Sequence, residues 1–293
     1  MRYTVTFITT LFLLFFGGCS EEKYNSETLT ISTNSWIGYA PLFYAEEQGY
    51  LQRNNIKLLV NVSLAEAAEI YSVGKADLLT TTQHEYYAFK KEFDLVPIIL
   101  LDKSNGGDMI LSNRSIQELQ ASKNISAYLE IDSINAEILK AFIHHYNIPL
   151  EKLNLINKDQ AQIEDIEPRD DEDMIIVTYV PYNIKLEKKG FQMIASTKDN
   201  KSIMVIDALC SSKTTFKERL RHLQTLKKII DLSVEELMKD KKASYLLTKK
   251  YLGNLTYREY LQALKTITWI NKPSKKLLDD IEPLGYEREY ILP

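Results

Sequence analysis

The sequence alternates short apolar runs with segments that carry helix start and stop signals, and this alternation limits the folds open to the chain. Residues 28–32 and 56–62 are rich in β-branched and apolar side chains, which is typical of strands. Between them, Pro41 lies where a helix can begin and Gly49 lies where it can end. Strands that alternate with helices predict an α/β fold, with mostly parallel sheets and helices on both faces.

The same alternation extends along the chain. The run 95–101 is continuously apolar, as expected of a central strand buried on both faces. Capping boxes, in which Ser or Thr is followed three residues later by Glu, predict helix starts at Ser63, Ser115 and Thr256. From Thr214 onward the pattern predicts helices. The sequence has no fixed-period repeat and no Gly-rich linker, which favours two lobes joined by short strand crossovers.

Composition sets limits on size and partners. A chain of 293 residues is long enough for two lobes, each with its own core. Hydrophobic residues make up 45% and charged residues 26%, which is typical of a globular protein rather than a disordered chain or a membrane bundle. The net charge of −4 argues against a nucleic-acid partner, because such binders usually carry a basic surplus.

The N-terminus has the layout of an export signal. After Arg2, an apolar stretch covers 5–16, which is shorter than the roughly 20 residues that a membrane-spanning helix needs. The segment 16–19, FGGC, resembles the lipobox of bacterial lipoproteins, although that pattern prefers Leu where this chain has Phe16. The resemblance implies a signal peptide over 1–19 and a diacylated Cys19 as the first mature residue. An ordinary secretory signal is the alternative.

The polar residues 20–27 predict a tether that follows the anchor. The protein would then lie outside the cytoplasm, attached by lipid to a bacterial membrane, on the periplasmic side in a Gram-negative host. The choice between inner and outer membrane stays open. With Cys19 lipidated, Cys210 has no disulfide partner in the chain, and its apolar surroundings predict a small buried side chain.

Recognisable catalytic and metal-binding motifs are missing from the sequence. No Cys/His spacing is typical of a zinc site, and no nucleophile elbow, phosphate-binding loop, H-E-x-x-H motif or dinucleotide fingerprint occurs. We therefore expect no metal, no cofactor and no enzymatic activity. A periplasmic enzyme on the same fold is the weakest of the alternatives.

Several segments resemble one protein family in both order and spacing. The segment 35–51, SWIGYAPLFYAEEQGYL, is similar to the opening of the solute-binding proteins of nitrate, sulfonate and taurine ABC transporters, and of thiamine-pyrimidine-precursor-binding proteins. GKADL at 74–78, DKSNGGD at 102–108, DMIIVTYVP at 173–181 and IDAL at 206–209 continue the resemblance. It implies the two-lobe periplasmic-binding-protein (type 2) fold, with a ligand cleft between the lobes.

The resemblance also implies where the lobes divide. A crossover near Asp108 and a return near Ile206 predict a discontinuous first lobe, 28–108 with 205–293, and a continuous second lobe, 109–204.

Ligands of open α/β sheets lie beyond the carboxyl ends of the strands. That rule selects nine candidate ligand-binding residues: Trp36, Tyr39, Thr82, Glu85, Asp108, Glu130, Ser133, Tyr179 and Tyr182.

The charge of these candidates bears on the ligand. They include carboxylates and aromatic rings but no Arg or Lys, which fits an amine or an aminated ring slightly better than an anion. Helix N-termini could still hold a small organic anion. Asp108 and Ser133 have a second explanation, because each could serve only to cap a turn or a helix.

We therefore expect a monomeric binding protein that delivers a small molecule to an ABC permease. The alternative is a ligand-sensing lipoprotein that presents its closed state to a membrane signalling protein. Both roles need only a clamp that closes on its ligand, and the sequence does not separate them.

Overall fold

The computed structural model describes residues 28–198 and 204–293. The predicted signal peptide (1–19), with Cys19, and the predicted tether (20–27) lie outside these residues. Within the described ranges, no helix combines the length and the apolar character needed to cross a membrane.

The strands of the described residues form two sheets. The first has the order β11-β4-β10-β3-β1-β2 and the second the order β7-β6-β8-β5-β9. In chain order the strands are β1 (Leu29–Asn34), β2 (Ile56–Asn61), β3 (Leu78–Thr82), β4 (Leu95–Ser104), β5 (Asp108–Ser112), β6 (Ile125–Leu129), β7 (Leu153–Asn157), β8 (Met174–Tyr179), β9 (Gln192–Ser196), β10 (Ile206–Ser212) and β11 (Ile267–Trp269).

Helices connect and cover the strands. They are α1 (Ala40–Glu47), α2 (Tyr50–Arg53), α3 (Leu64–Ser72), α4 (Gln83–Phe93), α5 (Ile116–Ala121), α6 (Ile134–His145), α7 (Gln160–Ile163), α8 (Asn183–Lys188), α9 (Lys213–Lys239), α10 (Lys241–Thr248), α11 (Tyr257–Ala263) and α12 (Lys275–Ile281). Short 3₁₀ turns lie at Ile37–Tyr39, Leu150–Lys152, Lys249–Tyr251, Glu282–Leu284 and Arg288–Tyr290.

The predicted α/β class is confirmed, but the sheets are mixed rather than mostly parallel. β1 pairs in parallel with β2 and β3, and β6 with β7 and β8. β10 lies antiparallel between β3 and β4, and β5 lies antiparallel to β8 and β9. The chain passes directly from β4 to β5 and returns as β10. Because β4 carries the chain out of the first sheet and β10 carries it back beside β4, these two strands run in opposite directions.

Helices cover both faces of the first sheet, as predicted. Alternate residues of one strand belong to different cores: Leu78 packs in the cluster that contains residues of α1 and α9, and Leu79 packs in the cluster that contains residues of α3 and α4. In the second sheet, Ile175 packs with Phe142 of α6, whereas Ile176 points to the opposite core. This period of two places each strand between two apolar layers.

Local signals account for most helix starts. The capping boxes at Ser115 and Thr256 are both present. Ser63 also caps its helix, but the Glu66 carboxylate accepts the N–H of Val62 instead of completing the box. The expectation of helices alone after Thr214 is wrong, because β11 pairs with the edge of β4. A strand of three residues is too short to show an alternating pattern.

Candidate functional site

A cavity of about 630 Å³ lies between helices of the first sheet and the loops and helices that follow strands of the second sheet. Volumes of this size are typical of small-molecule sites. Its lining from the first sheet comes from α3, its cap and α4: Ser63, Leu64, Ala65, Ala68, Glu69, Ser72, Glu85, Phe89, Glu92 and Phe93. Its lining from the second sheet follows β6 and β7: Glu130, Ile131, Asp132, Ser133, Asn157, Lys158, Asp159 and Gln162.

Glu85 connects the two sides of this cavity. The sequence Thr82-Gln83-His84-Glu85 is a capping box at the start of α4, and the Thr82 N–H donates to Glu85 Oε2 at 2.9 Å. The other oxygen, Oε1, accepts the N–H of Ile134 at 2.9 Å, at the first turn of α6. One buried carboxylate therefore serves two helix N-termini, one beside each sheet.

Glu130 follows β6 and is held by residues at the start of α6. The Ser133 hydroxyl donates to the Glu130 carbonyl at 2.9 Å, and the Asn135 amide donates to Glu130 Oε2 at 3.4 Å. Glu130 Oε1 and Asn135 Oδ1 are buried and have no hydrogen-bond partner among the described residues. Burial, reinforced by the charge of Glu85, raises the pKa of Glu130 to about 7 despite the Asn135 amide.

Aromatic rings from both sheets meet next to this region. Tyr179, at the end of β8, packs edge-to-face against Trp36 at 5.8 Å and against Tyr182 at 5.3 Å between ring centroids. The Asn34 amide, at the end of β1, donates to the Tyr179 hydroxyl at 3.2 Å. The Tyr182 hydroxyl donates to the Val62 carbonyl at 3.1 Å. These contacts join residues that follow β1 and β2 to residues that follow β8.

Trp36 is buried, with 4% of its surface exposed. Its indole N–H donates to the Asp102 carboxylate, with distances of 3.2 and 3.3 Å to the two oxygens. A Cβ on Gly38 would lie 2.3 Å from the indole nitrogen, and a Cβ on Gly107 would lie 2.3 Å from the far edge of the ring. Glycine at both positions is therefore what gives the indole its space.

Asp102 and Asp207 lie opposite each other on β4 and β10. The Tyr39 hydroxyl donates to Asp207 Oδ1 at 2.6 Å. Burial raises the pKa of both carboxyls well above the ordinary range. For Asp207 the charge of Asp102 raises it further, and for Asp102 the Trp36 indole opposes the rise. Two like charges side by side in a buried sheet are unfavourable, so this pair retains a proton more readily than exposed aspartates do.

Asp108 begins β5, directly after the crossover 105–107. Its backbone N–H donates to Ser104 Oγ at 3.2 Å, while its own Oδ2 is buried and lacks a partner within the described part of the chain. Burial raises the pKa of Asp108 to about 7, the Ser104 hydroxyl beside the carboxyl opposes this rise, and the charge of Glu85 adds to it. Asn34 Oδ1 is a further buried acceptor without a partner in the same part of the chain.

The nine predicted ligand-binding residues are all buried. Of these, the structure places Glu85, Glu130 and Ser133 at the cavity, with Thr82 bonded to Glu85. Trp36, Tyr179 and Tyr182 form the aromatic contacts, whereas the Tyr39 hydroxyl donates to Asp207. Three polar residues in this region were missed: Asp102, Asn135 and Asp207. The signal for the two aspartates is a single carboxylate inside an otherwise apolar, strand-like run.

Comparisons with known proteins bear on the fold. No protein-family model matches the sequence, and no curated protein matches it. Solved structures do match. The periplasmic aliphatic sulphonate binding protein SsuA from Escherichia coli is 15% identical, with a TM-score of 0.68 over 88% of this chain and 85% of that chain. The nitrate-binding protein NrtA from Synechocystis is 11% identical, with a TM-score of 0.64 over 80% and 68%.

An enzyme also shares this architecture. The desulfurization enzyme DszB is 13% identical, with a TM-score of 0.63 over 88% of this chain and 90% of that chain. The fold by itself therefore does not separate binding from catalysis. At these identities the similarity concerns the fold, and it agrees with the resemblance seen in the sequence: the chain has the two-lobe α/β fold of periplasmic binding proteins.

Proposed function

We propose that the protein is an extracytoplasmic solute-binding protein that captures a small molecule for an ABC importer. The observation that carries this proposal is the cavity of about 630 Å³, whose walls come from elements of both sheets. A ligand held there touches both sides at once, so its binding energy favours the closed arrangement of the two sheets. Both SsuA and NrtA are binding proteins, which supports this role.

The moving parts in this proposal are the two predicted lobes, 28–108 with 205–293 and 109–204. The strands of the first sheet fall in the former range. Those of the second sheet fall in the latter, apart from Asp108, the first residue of β5. The crossover 105–107 between β4 and β5 is one of the two connections that would bend during opening. Hinge motions of this kind concentrate in a few residues at element ends.

Attachment to the membrane completes the proposed role. Cys19 carries the lipid, 20–27 spans the distance to the folded part, and the monomeric protein presents its closed form to the permease. Replacing Cys19 by Ser removes the acylated thiol, so this variant is expected to lose both labelling by radioactive palmitate and membrane association. Labelled, membrane-bound Cys19→Ser protein would refute the anchor while leaving ligand capture intact.

Ligand capture is tested by a thermal-shift screen of the full chain in detergent against amines, pyrimidines, sulfonates and inorganic anions. At least one compound is expected to raise the melting temperature, because a ligand that binds only the folded state stabilises it. The variant Ala65→Trp fills the cavity from its exposed rim and is expected to abolish that shift. Ala121→Trp, on exposed α5, is the matched control and retains the shift.

Two results would contradict the proposal. One is a screen in which no compound shifts the melting temperature. The other is chemical conversion of the compound that binds, detected by chromatography of the reaction mixture. Such turnover would indicate an enzyme of this fold. A compound that binds and is recovered unchanged supports a binding protein.

A further inference from the structure

The cavity is acidic on both sides. Glu69, Glu85 and Glu92 line it from α3 and α4, and Glu130, Asp132 and Asp159 line it from the second sheet, whereas Lys158 is the basic residue in its lining. An acidic surface alone is a common feature of solvated helices. The observation that points to a ligand is Glu130, which is 93% buried, lines the cavity, and has an oxygen, Oε1, without a hydrogen-bond partner in the described ranges.

A buried oxygen of this kind requires a donor. Leaving a buried acceptor unpaired is unfavourable, and more so when the acceptor is charged. The Asn135 amide donates to the other oxygen of Glu130, which fixes the orientation of the carboxylate. Asn135 Oδ1 next to it is also an unpaired acceptor within the part of the chain that the structure describes. A ligand group with several N–H bonds would satisfy both acceptors.

We infer that the captured solute is an organic amine cation, whose ammonium or amidinium group binds Glu130 and whose apolar part lies against α3 and α4. This inference rests on the proposed capture of a solute. The wall opposite Glu130 supplies the apolar surface: Leu64 and Ala68 come from α3, and Phe89 and Phe93 come from α4. The solute therefore combines a charged nitrogen with a hydrocarbon or ring portion.

The start of α6 explains why an anion is disfavoured. Backbone N–H groups at a helix N-terminus attract anions, and α6 begins at the edge of the cavity. Here the Ile134 N–H donates to Glu85 Oε1, and the Asn135 N–H donates to Ser133 Oγ at 3.1 Å. The protein thus places its own carboxylate where a sulfonate or nitrate would bind, and further anions meet the charge of Glu85.

A metal cation fits less well than an organic one. Across the residues that the structure describes, no group of three or more His, Cys, Asp or Glu side chains is arranged to hold a metal ion. A metal ion also gains nothing from the apolar wall. An organic cation can bind the carboxylate and also pack on the aromatic rings, whose faces attract cations.

The test is isothermal titration of the full chain in detergent at pH 8 and low salt. The cations are 2-phenylethylamine, agmatine and spermidine. Butanesulfonate and nitrate are the anions, and 2-phenylethanol is the uncharged analogue of 2-phenylethylamine. At least one amine is expected to bind. The affinity for 2-phenylethanol is expected to be at least tenfold lower than that for 2-phenylethylamine, and the anions are expected not to bind. If an anion binds and none of the three amines does, the amine assignment is wrong but solute capture is supported. If no compound binds, both the amine assignment and the proposed solute capture are contradicted.

Two variants locate the contact. Glu130→Gln keeps the shape of the side chain and removes its charge, so the affinity for the bound amine is expected to fall at least tenfold. Glu235→Gln, an exposed glutamate on α9 at the opposite face of the first sheet, is the matched control with unchanged affinity. Unchanged affinity in Glu130→Gln would refute the assigned contact.

A third variant keeps the test valid if Glu130→Gln does not fold, as judged by circular dichroism. Asp132→Asn removes a charge from the exposed rim of the same cavity and is expected to weaken the amine at least twofold at low salt. An affinity that stays the same in this folded variant, and does not change between low and high salt, would refute a cation at this site.

Discussion

Trp36 and Asp102 show how single buried polar groups are matched in this protein. Asp102 is fully buried, and the donor that it receives from another side chain is the Trp36 indole N–H. A second tryptophan, Trp269, donates its indole N–H to the Gly38 carbonyl at 2.8 Å and is only half-buried. Both indoles donate one N–H, Trp36 to a carboxylate and Trp269 to a backbone carbonyl, and the two rings differ in burial.

Replacing Trp36 by Phe is expected to lower the free energy of unfolding by about 1–3 kcal/mol, because Asp102 loses its donor in a site that water does not reach. Trp269→Phe is expected to cost less, because Trp269 is only half-buried and water enters the space left by its indole N–H more easily than the buried site at Asp102. Urea unfolding of both variants at pH 7 gives the comparison. Equal losses of unfolding free energy in the two variants would contradict a larger cost for removing the donor to Asp102.

Glu130 provides a pH-dependent prediction at the same scale. Its pKa rises from an ordinary value near 4.5 to about 7 in the folded chain. Between these pH values the folded state keeps a proton that the unfolded state has released, so the contribution to stability is present at low pH and is lost as the pH rises through 7. Groups that influence Glu130 from neighbouring elements are Glu85, Asn135, Asp159 and Gln160.

We expect the variant Glu130→Gln to gain stability relative to the wild type as the pH rises from 5 to 8, by an amount of the order of 3 kcal/mol at 1.36 kcal/mol per pKa unit. Urea unfolding at pH 5, 6.5 and 8 measures the difference. Glu118→Gln is the control. Hydrogen bonds from Ser115 lower the pKa of Glu118, so both states are ionised throughout this range and the difference stays flat. A flat difference for Glu130→Gln would show that Glu130 ionises normally.

Helix N-termini are the recurring device at the scale of elements. Ser or Thr caps α3, α4, α5, α6, α9, α11 and α12, and its side chain accepts a backbone N–H of the first turn. The capping box of α4 differs from the boxes of α5 and α11 in one respect. Its glutamate also binds the first turn of another helix, α6, which lies beside the other sheet.

This double role predicts that Glu85 holds the two sides of the cavity together in the absence of ligand. Glu85→Ala is expected to increase the radius of gyration measured by small-angle X-ray scattering and to lower stability by about 1–3 kcal/mol. Glu118→Ala removes the equivalent carboxylate from α5, where it binds only its own cap at Ser115. That control is expected to leave the radius unchanged. The same radius for Glu85→Ala and the wild type would contradict a closing role.

For the whole molecule, β10 is the strand that unites the first sheet. It lies between β3 and β4, although more than 100 residues separate it in sequence from either. Cys210 lies in this strand, fully buried, and burial raises the pKa of its thiol to about 12. Access to this thiol therefore requires the sheet to come apart.

In a Cys19→Ser background, Cys210 is the sole thiol of the chain. It is expected to resist a disulfide reagent at pH 8 and to react in urea with the same midpoint as the loss of circular dichroism, because a protonated, buried thiol is a poor nucleophile. Rapid labelling without denaturant would show that β10 opens locally.

Comparison of prediction and structure shows which signals were sufficient. Capping boxes at Ser115 and Thr256 and the central run 95–101 are local patterns, and each forms the element that it predicts. Thr82 and Glu85 carry the same local pattern. We predicted these two residues to bind ligand and did not predict their capping role. The antiparallel position of β10 has no local signature, because an isolated apolar run does not specify the direction of its partner.

The sequence by itself determined where helices begin, which runs are strands and that the chain has an α/β fold, because each of these depends on residues within a few positions of one another. Only the tertiary structure decided which polar groups meet. Trp36 and Asp102 are 66 positions apart, Asn34 and Tyr179 are 145 apart, and Glu85 and Ile134 are 49 apart. Such pairs depend on how sheets and helices pack, and no spacing along the chain encodes them.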